Sequence, residues 1–227
     1  IGLSEHLYDL ENNYANNNDD FDNLKYLLII GDENIIPPLF YLGSTASDDY
    51  FSTKNQSTND RPAPKLITGR ILINDPTSFI QIENIENYVL TPQHGKWKSE
   101  LLLFCDDQFK SGKTIREEKW HTMHSNVIYD ALKSNLNISC LYGLDFQRQQ
   151  SLDWYTQPEF TDKLIDKINN GIGFINYIGH GTSEILADEH ILSFSDIDQI
   201  NIINNKLPVW IVGTCSFGNY INENCLA

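Results

Sequence analysis

Two short glycine-framed segments, Gly179-His180-Gly181 and Gly213-Thr214-Cys215-Ser216-Phe217-Gly218, each follow an apolar run of strand length. Together they supply an imidazole and a thiol. A thiol is a weak nucleophile until it ionises. A histidine within reach takes its proton or holds the thiolate as an ion pair, then protonates a leaving amine. The chemistry this implies is acyl transfer. The glycines on either side of His180 let a substrate backbone approach, and the backbone N–H groups of Gly181 and Cys215 are the candidates for binding a developing oxyanion. A carboxylate that fixes the imidazole tautomer completes such a site, and Asp106 or Asp107, directly after another apolar run, is the candidate. Taken singly, a glycine-flanked histidine is a turn residue and an apolar-context cysteine is a core side chain. Their joint occurrence, each after a strand and with one helix between, carries the functional reading.

The elements that must hold these residues alternate along the chain. Strands are expected at 26–30, 66–71, 101–105, 138–142, 174–178 and 209–212, several as continuous apolar runs of the kind covered on both faces in a parallel sheet. Helices are expected at 76–90, where Phe79, Ile82, Ile85, Tyr88 and Val89 keep helical spacing, and at 161–170, with Leu164, Ile165 and Ile168 ahead of the stop signal Gly171. A third, at 195–204, starts with Ser195 and has Asp198 three residues on, a capping box with a shortened acid. Strand, helix, strand repeats imply right-handed crossovers and an α/β fold, a Rossmann-like parallel sheet sandwiched by helices. In such sheets ligands bind beyond the carboxyl ends of the strands. The polar residues gather there: Gly31-Asp32-Glu33, Asp106-Asp107, His180 and Cys215 each follow a strand. A break at Thr91–Gly95 sets the expected boundary between an amino-terminal subdomain, 1–95, and a catalytic one, 96–227. The segment 44–65, with a polar tract at 55–64, reads as a long functional or mobile loop.

Composition limits the partners. With 31 Asp and Glu against 16 Lys and Arg, the formal charge is −15, and no basic stretch is available to neutralise a phosphate backbone, so nucleic acid is not expected. No apolar run approaches the ~20 residues that cross a bilayer. Cys105, Cys140, Cys215 and Cys225 have no C-x-x-C spacing, and Cys105 and Cys140 lie in apolar runs that suit small buried side chains. Neither a disulfide framework nor a zinc ribbon is expected. His121 and His124, one turn after Glu117 and Glu118, read as a solvated helix face, since their spacing departs from H-E-x-x-H and no matching ligand set follows. The asparagine-rich run 12–18 reads as solvated surface. No cofactor is required by the thiol chemistry. Structural calcium at the acidic loops is an expectation, without a twelve-residue calcium-loop pattern behind it.

The run Phe174-Ile175-Asn176-Tyr177-Ile178-Gly179-His180-Gly181, followed by Leu207-Pro208-Val209 leading into Thr214-Cys215-Ser216-Phe217-Gly218, resembles the catalytic core of gingipain-type cysteine peptidases, nearest to their type IX secretion sortase branch. Upstream, Leu28-Ile29-Ile30-Gly31-Asp32, Ser47-Asp48-Asp49-Tyr50-Phe51, Ile67-Thr68-Gly69-Arg70-Ile71 and Trp97-Lys98-Ser99-Glu100-Leu101 running into Phe104-Cys105-Asp106-Asp107 extend the resemblance from Tyr26 onward. The resemblance implies a caspase-like α/β fold in two subdomains, Cys215 as nucleophile, His180 as its partner, and Asp107 or Asp106 orienting the imidazole. It implies a peptide or protein substrate, cleaved by an endopeptidase or passed on by a transpeptidase, at a secreted or outer-membrane location. Two departures bear on substrate preference: Ile185-Leu186 stands where an aromatic often follows Gly-His-Gly, and Ser216 where an acid often follows the nucleophile. Family domains continue past the nucleophile, so a chain ending at Ala227 is expected to be a carboxyl-terminally truncated fragment. The rival expectation is a non-catalytic surface module that keeps the fold and binds through the same rim. A small-molecule hydrolase ranks last, because no cofactor loop or serine elbow is present.

Overall fold

A computed structural model describes residues 24–53, 59, 64–75, 79–107, 119–151, 154–202, 205–222 and 224–226. The chain divides into two compact units, Ile1–Gln81 and Ile82–Ala227, so the break foreseen at Thr91–Gly95 falls inside the second unit.

In the first unit, strands β1 (Tyr26–Ile30) and β4 (Ile67–Ile71) pair in parallel, and the hairpin strands β2 (Leu39–Tyr41) and β3 (Thr45–Ser47) lie between them in sequence. The segment read as a long loop therefore begins as structure, with β3 followed by a 3-10 turn at Asp49–Ser52. Its remainder, 54–58 and 60–63, lies outside the described residues. One ion pair explains why Asp48 and Arg70 belong to separate sequence motifs. The Arg70 guanidinium clasps both Asp48 carboxylate oxygens, at 2.6 and 2.7 Å, and donates at 2.6 Å to the Gly31 carbonyl. A fork of that geometry locks the strand end to the turn in a way a lysine cannot. Asp32 stays local, its Oδ1 accepting from the Asn34 and Ile35 amides at 3.0 Å each. It caps a turn of the first unit.

Helix α1 (Ile80–Leu90), all but its first two residues in the second unit, has its first expected turn, 76–78, outside the described residues. The centre of that unit is a four-stranded parallel sheet in which β6 (Asn137–Tyr142), β5 (Glu100–Cys105), β9 (Phe174–Ile178) and β12 (Val209–Gly213) lie side by side in that order, and a short antiparallel pair, β7 (Gln149–Gln150) with β8 (Tyr155–Thr156), falls between β6 and β9 in sequence. These strands match the sequence expectation to within a residue at each end. In β5, alternate side chains face opposite layers. Leu102 and Phe104 join Phe160, Leu164 and Ile168 of helix α3 (Pro158–Asn170) in the main core, and Cys105 meets Thr122 of helix α2 (Trp120–Leu132) on the other face, Sγ to Oγ1 3.6 Å. Burial on both faces is why β5 reads as unbroken apolar sequence. The edge strand β12 alternates instead: Trp210 and Val212 pack on the core while Val209 and Ile211 are 45% and 57% exposed. Helix α3 starts three residues before its expected position, at Pro158, where the missing proline N–H costs nothing, and stops at Gly171 with φ 91°. The expected helix at 195–204 is a 3-10 turn at Phe194–Gln199. The Asp196 carboxylate accepts from the Ser193 amide at 2.8 Å and hydroxyl at 2.5 Å, so the cap falls two residues ahead of Ser195 and Asp198. Ile200 is already extended. Cys140, expected buried, is exposed on the edge strand β6.

Candidate active site

Register places the reactive pair. Ile178, the last residue of β9, pairs with Gly213, the last of β12, and with Cys105, the last of β5. His180, Cys215 and Asp107 each stand two residues beyond those partners, on parallel strands spaced roughly 4.8 Å apart. The Asp106 amide still donates to the Ile178 carbonyl and the Gly179 amide to the Gly213 carbonyl, so Asp107, His180 and Cys215 follow directly where the ladder ends at the carboxyl rim. Cys215 is exposed, whereas Cys105 is buried and its thiol is pushed up to about 12, chiefly by burial. Only a thiol that can ionise attacks carbonyls, so Cys105 is inert where Cys215 is accessible.

The histidine is fixed through its backbone. The His180 amide donates to Asp106 Oδ2 at 3.0 Å, and its carbonyl accepts from the Tyr177 hydroxyl at 2.6 Å and the Ala187 amide at 2.9 Å. Burial, followed by the Asp106 charge, drives the Tyr177 hydroxyl well above its ordinary value, so it stays protonated and keeps donating. Gly179 is required by this crowding. A Cβ there would stand 2.2 Å from the Tyr177 hydroxyl and 2.5 Å from Asp106 Cβ. Gly181 lies against β12's end in the same way, its would-be Cβ 2.8 Å from Thr214 Oγ1. A short antiparallel pair, β10 (Ile185–Leu186) with β11 (Leu192–Ser193), backs the loop after the histidine.

The two candidate carboxylates do different things. Asp106 holds the His180 amide, and Asp107 faces inward, 3.4 Å from Gln157 Nε2 and 3.8 Å from Arg148 Nε. Arg148 also stands 3.8 Å from Glu189. Oxygens of Asp106, Asp107 and Glu189 all lie within 4.8 Å of one another, buried. Burial, then repulsion from Asp107 and Asp106, pushes the Glu189 carboxyl up to about 8. These are hard oxygen donors of the kind calcium takes.

His121 is the residue that sequence reasoning missed. Expected on a solvated face, it is only half-buried at the start of α2, its ring edge-on to His180 with centroids 5.1 Å apart and its Nδ1 3.9 Å from Asp106 Oδ2. His124 is exposed and lies against Trp120, and Glu117 and Glu118 are outside the described residues. No local pattern separates His121 from His124. What does is one turn's difference in facing, which appears only when α2 packs on β5 and β9.

His180 and Cys215 thus leave neighbouring strands of one helix-covered parallel sheet at its carboxyl rim. The family model described as Peptidase family C25 matches residues 7–227, and the chain belongs to that family. Its fold is that of the Arg-specific cysteine proteinase gingipain R, to which it is 20% identical with a TM-score of 0.69, over 99% of this chain and 47% of that one. The complex of Porphyromonas gingivalis RgpB pro- and mature domains matches with a TM-score of 0.66 at 20% identity, over 99% and 48%. A structure described only as a protease matches at 0.67 and 15% identity, over 98% and 45%. The chain thus spans about half the length of the solved structures it resembles. No curated protein sequence matches it. Among the described residues no helix is long and apolar enough to cross a membrane.

Proposed function

We infer that this chain carries the catalytic machinery of a cysteine peptidase, and the observation that carries the inference is the shared register of His180 and Cys215 beyond the Ile178–Gly213 pair. Cys215 gives its proton to the His180 imidazole, and the thiolate sulfur attacks the scissile carbonyl. The resulting oxyanion is held by the backbone N–H groups of Gly181 and Cys215. The C–N bond breaks as the imidazolium returns the proton to the leaving amine, leaving a thioester on Cys215. Water attack on the thioester, with His180 as base, completes hydrolysis, and attack by an amine completes transpeptidation. The substrate is a peptide or protein, and family resemblance extends the reading to a secreted or cell-surface setting, with type IX sortase-like transfer as its narrower form.

Thiol chemistry of this kind needs no resident cofactor. For structural calcium, the suited donors are Asp106, Asp107 and Glu189, where Arg148 also brings positive charge. A melting temperature that rises in millimolar calcium but not in magnesium supports calcium at that triplet.

The deciding experiment is reaction of the protein with a peptidyl acyloxymethyl ketone followed by mass mapping. Labelling at Cys215, abolished by Cys215→Ala and by His180→Ala, is expected. A chain that stays unlabelled under conditions where it is folded, or a Cys215→Ala variant that still cleaves peptides, overturns the reading in favour of a binding module.

A further inference from the structure

A cavity of about 720 Å³ opens at the opposite end of the central sheet. Its lining comes mainly from residues that precede or begin strands, such as Trp97, Glu100, Ile172 and Lys206, and from one side of α3, with Ser139 and Leu141 of the edge strand β6 completing the wall. It is therefore separate from the rim that follows Cys105, Ile178 and Gly213. Four lysines converge on it, Lys96, Lys163, Lys167 and Lys206, out of 16 lysines and arginines in a chain of formal charge −15. The sign of the local field is thus the reverse of the molecule's. A concave, low-dielectric wall focuses that field on whatever enters.

Beneath the lysines lies a donor without an acceptor. Trp97, one of the lining residues, is 6% exposed, and its buried indole N–H makes no hydrogen bond. A buried donor left unmade is costly, and an occupant that offers a carbonyl or carboxylate oxygen removes that cost. The lysines are held only lightly: Lys167 donates to the Ser139 hydroxyl at 2.9 Å, Lys206 reaches the Asn170 carbonyl at 3.4 Å, and Lys163 pairs with the exposed Glu159 at 2.7 Å. Surface contacts of this kind are worth little, so the ammonium groups can turn to a ligand at small cost.

The rest of the lining selects the kind of anion. Asp166 and Glu100 border the cavity, and so does the carboxyl end of α3 at Asn170 and Gly171, whose terminal carbonyls carry negative partial charge. A compact, densely charged phosphate is repelled by these groups. A ligand carrying both carboxylates and N–H donors satisfies the two sets together, carboxylates on the lysines and indole, amides on the carbonyls and acids. We propose that this cavity is a docking site for an acidic peptide segment, distinct from the catalytic rim and independent of the chemistry at Cys215.

The test uses the whole chain carrying Cys215→Ala, so that cleavage cannot intervene, and a fluorescein-labelled Asp/Glu hexapeptide followed by anisotropy. Binding at least tenfold tighter than for the matching Asn/Gln peptide, and weakening severalfold between 50 and 500 mM salt, is expected. Lys96→Gln/Lys163→Gln/Lys167→Gln, all at exposed positions, should weaken it at least tenfold without moving the melting temperature, and Trp97→Phe should weaken it severalfold by removing the N–H alone. Equal affinity for the two peptides, or unchanged binding by the triple variant, overturns the proposal. Pyrophosphate binding to the cavity with no acidic-peptide binding also overturns it, in favour of a phosphate site.

Discussion

The two ends of the central sheet handle charge in opposite ways. At the carboxyl rim the charges are carboxylates, buried, and held by polar neighbours: Asp106 by the His180 backbone amide, Asp107 by the Gln157 and Arg148 side chains. At the amino end they are ammonium groups on long stems at positions open to solvent, touching neighbours that also face water. Buried groups held by fixed partners have one geometry, as bond-making chemistry demands. Flexible ammonium groups adapt to an occupant and suit recognition. The same sheet thus offers a rigid end and a yielding one.

That contrast can be attacked where it is sharpest. Gly179→Ala forces a methyl group to within 2.2 Å of the Tyr177 hydroxyl and is expected to give the largest effect. Overpacking of this kind costs about 1–3 kcal/mol or more, and chemical denaturation should show it together with loss of Cys215 labelling. A variant as stable and reactive as the parent would mean that the rim yields as the base does. Next comes Asp106→Ala, which strands the His180 amide and frees the imidazole's support. Labelling of Cys215 should slow on the order of 10- to 100-fold. Asp106→Asn keeps an acceptor oxygen and should recover most of the rate, whereas equal slowing in both would assign Asp106 a role through its charge. Smallest is Glu189→Gln. The Glu189 carboxyl lies at about 8 in the folded chain against an ordinary 4.5, so parent stability falls as pH rises from about 4.5 through about 8. The variant lacks that loss. Its melting temperature should match the parent's near pH 4 and gain on it up to pH 8, and a constant offset at every pH would show that Glu189 does not titrate in that range.

Much of the rigid end was legible in the sequence because its constraints are local. Strands buried on both faces leave continuous apolar runs, and a position whose Cβ would stand 2.5 Å from another side chain admits only glycine, so β5, β9 and the frame around His180 announce themselves. The capping error had an equally local cause. Ser193-Phe194-Ser195-Asp196-Ile197-Asp198 holds two overlapping Ser-x-x-Asp patterns, and only the end of β11 at Ser193 selects the first. His121 and the lysine cavity were invisible for a different reason. Lys163 and Lys167 share a helix face, but Lys96 and Lys206 reach the same space only because β5 and β12 start beside α3. Convergence of that sort belongs to packing and leaves no spacing to read.

The central place of β9 has a kinetic consequence. Phe174 pairs with Leu101 on one side and Val209 on the other, so the strand ends that carry Asp107, His180 and Cys215 are neighbours only after two long-range strand pairings have closed. Such contacts form late, because loop closure is costly until the core rewards it. On the proposed mechanism, a nascent or partly folded chain therefore holds a thiol with no base beside it, and reactivity arrives only with the completed sheet. A register slip of one residue would leave the molecule compact yet silent, its histidine turned to the opposite face.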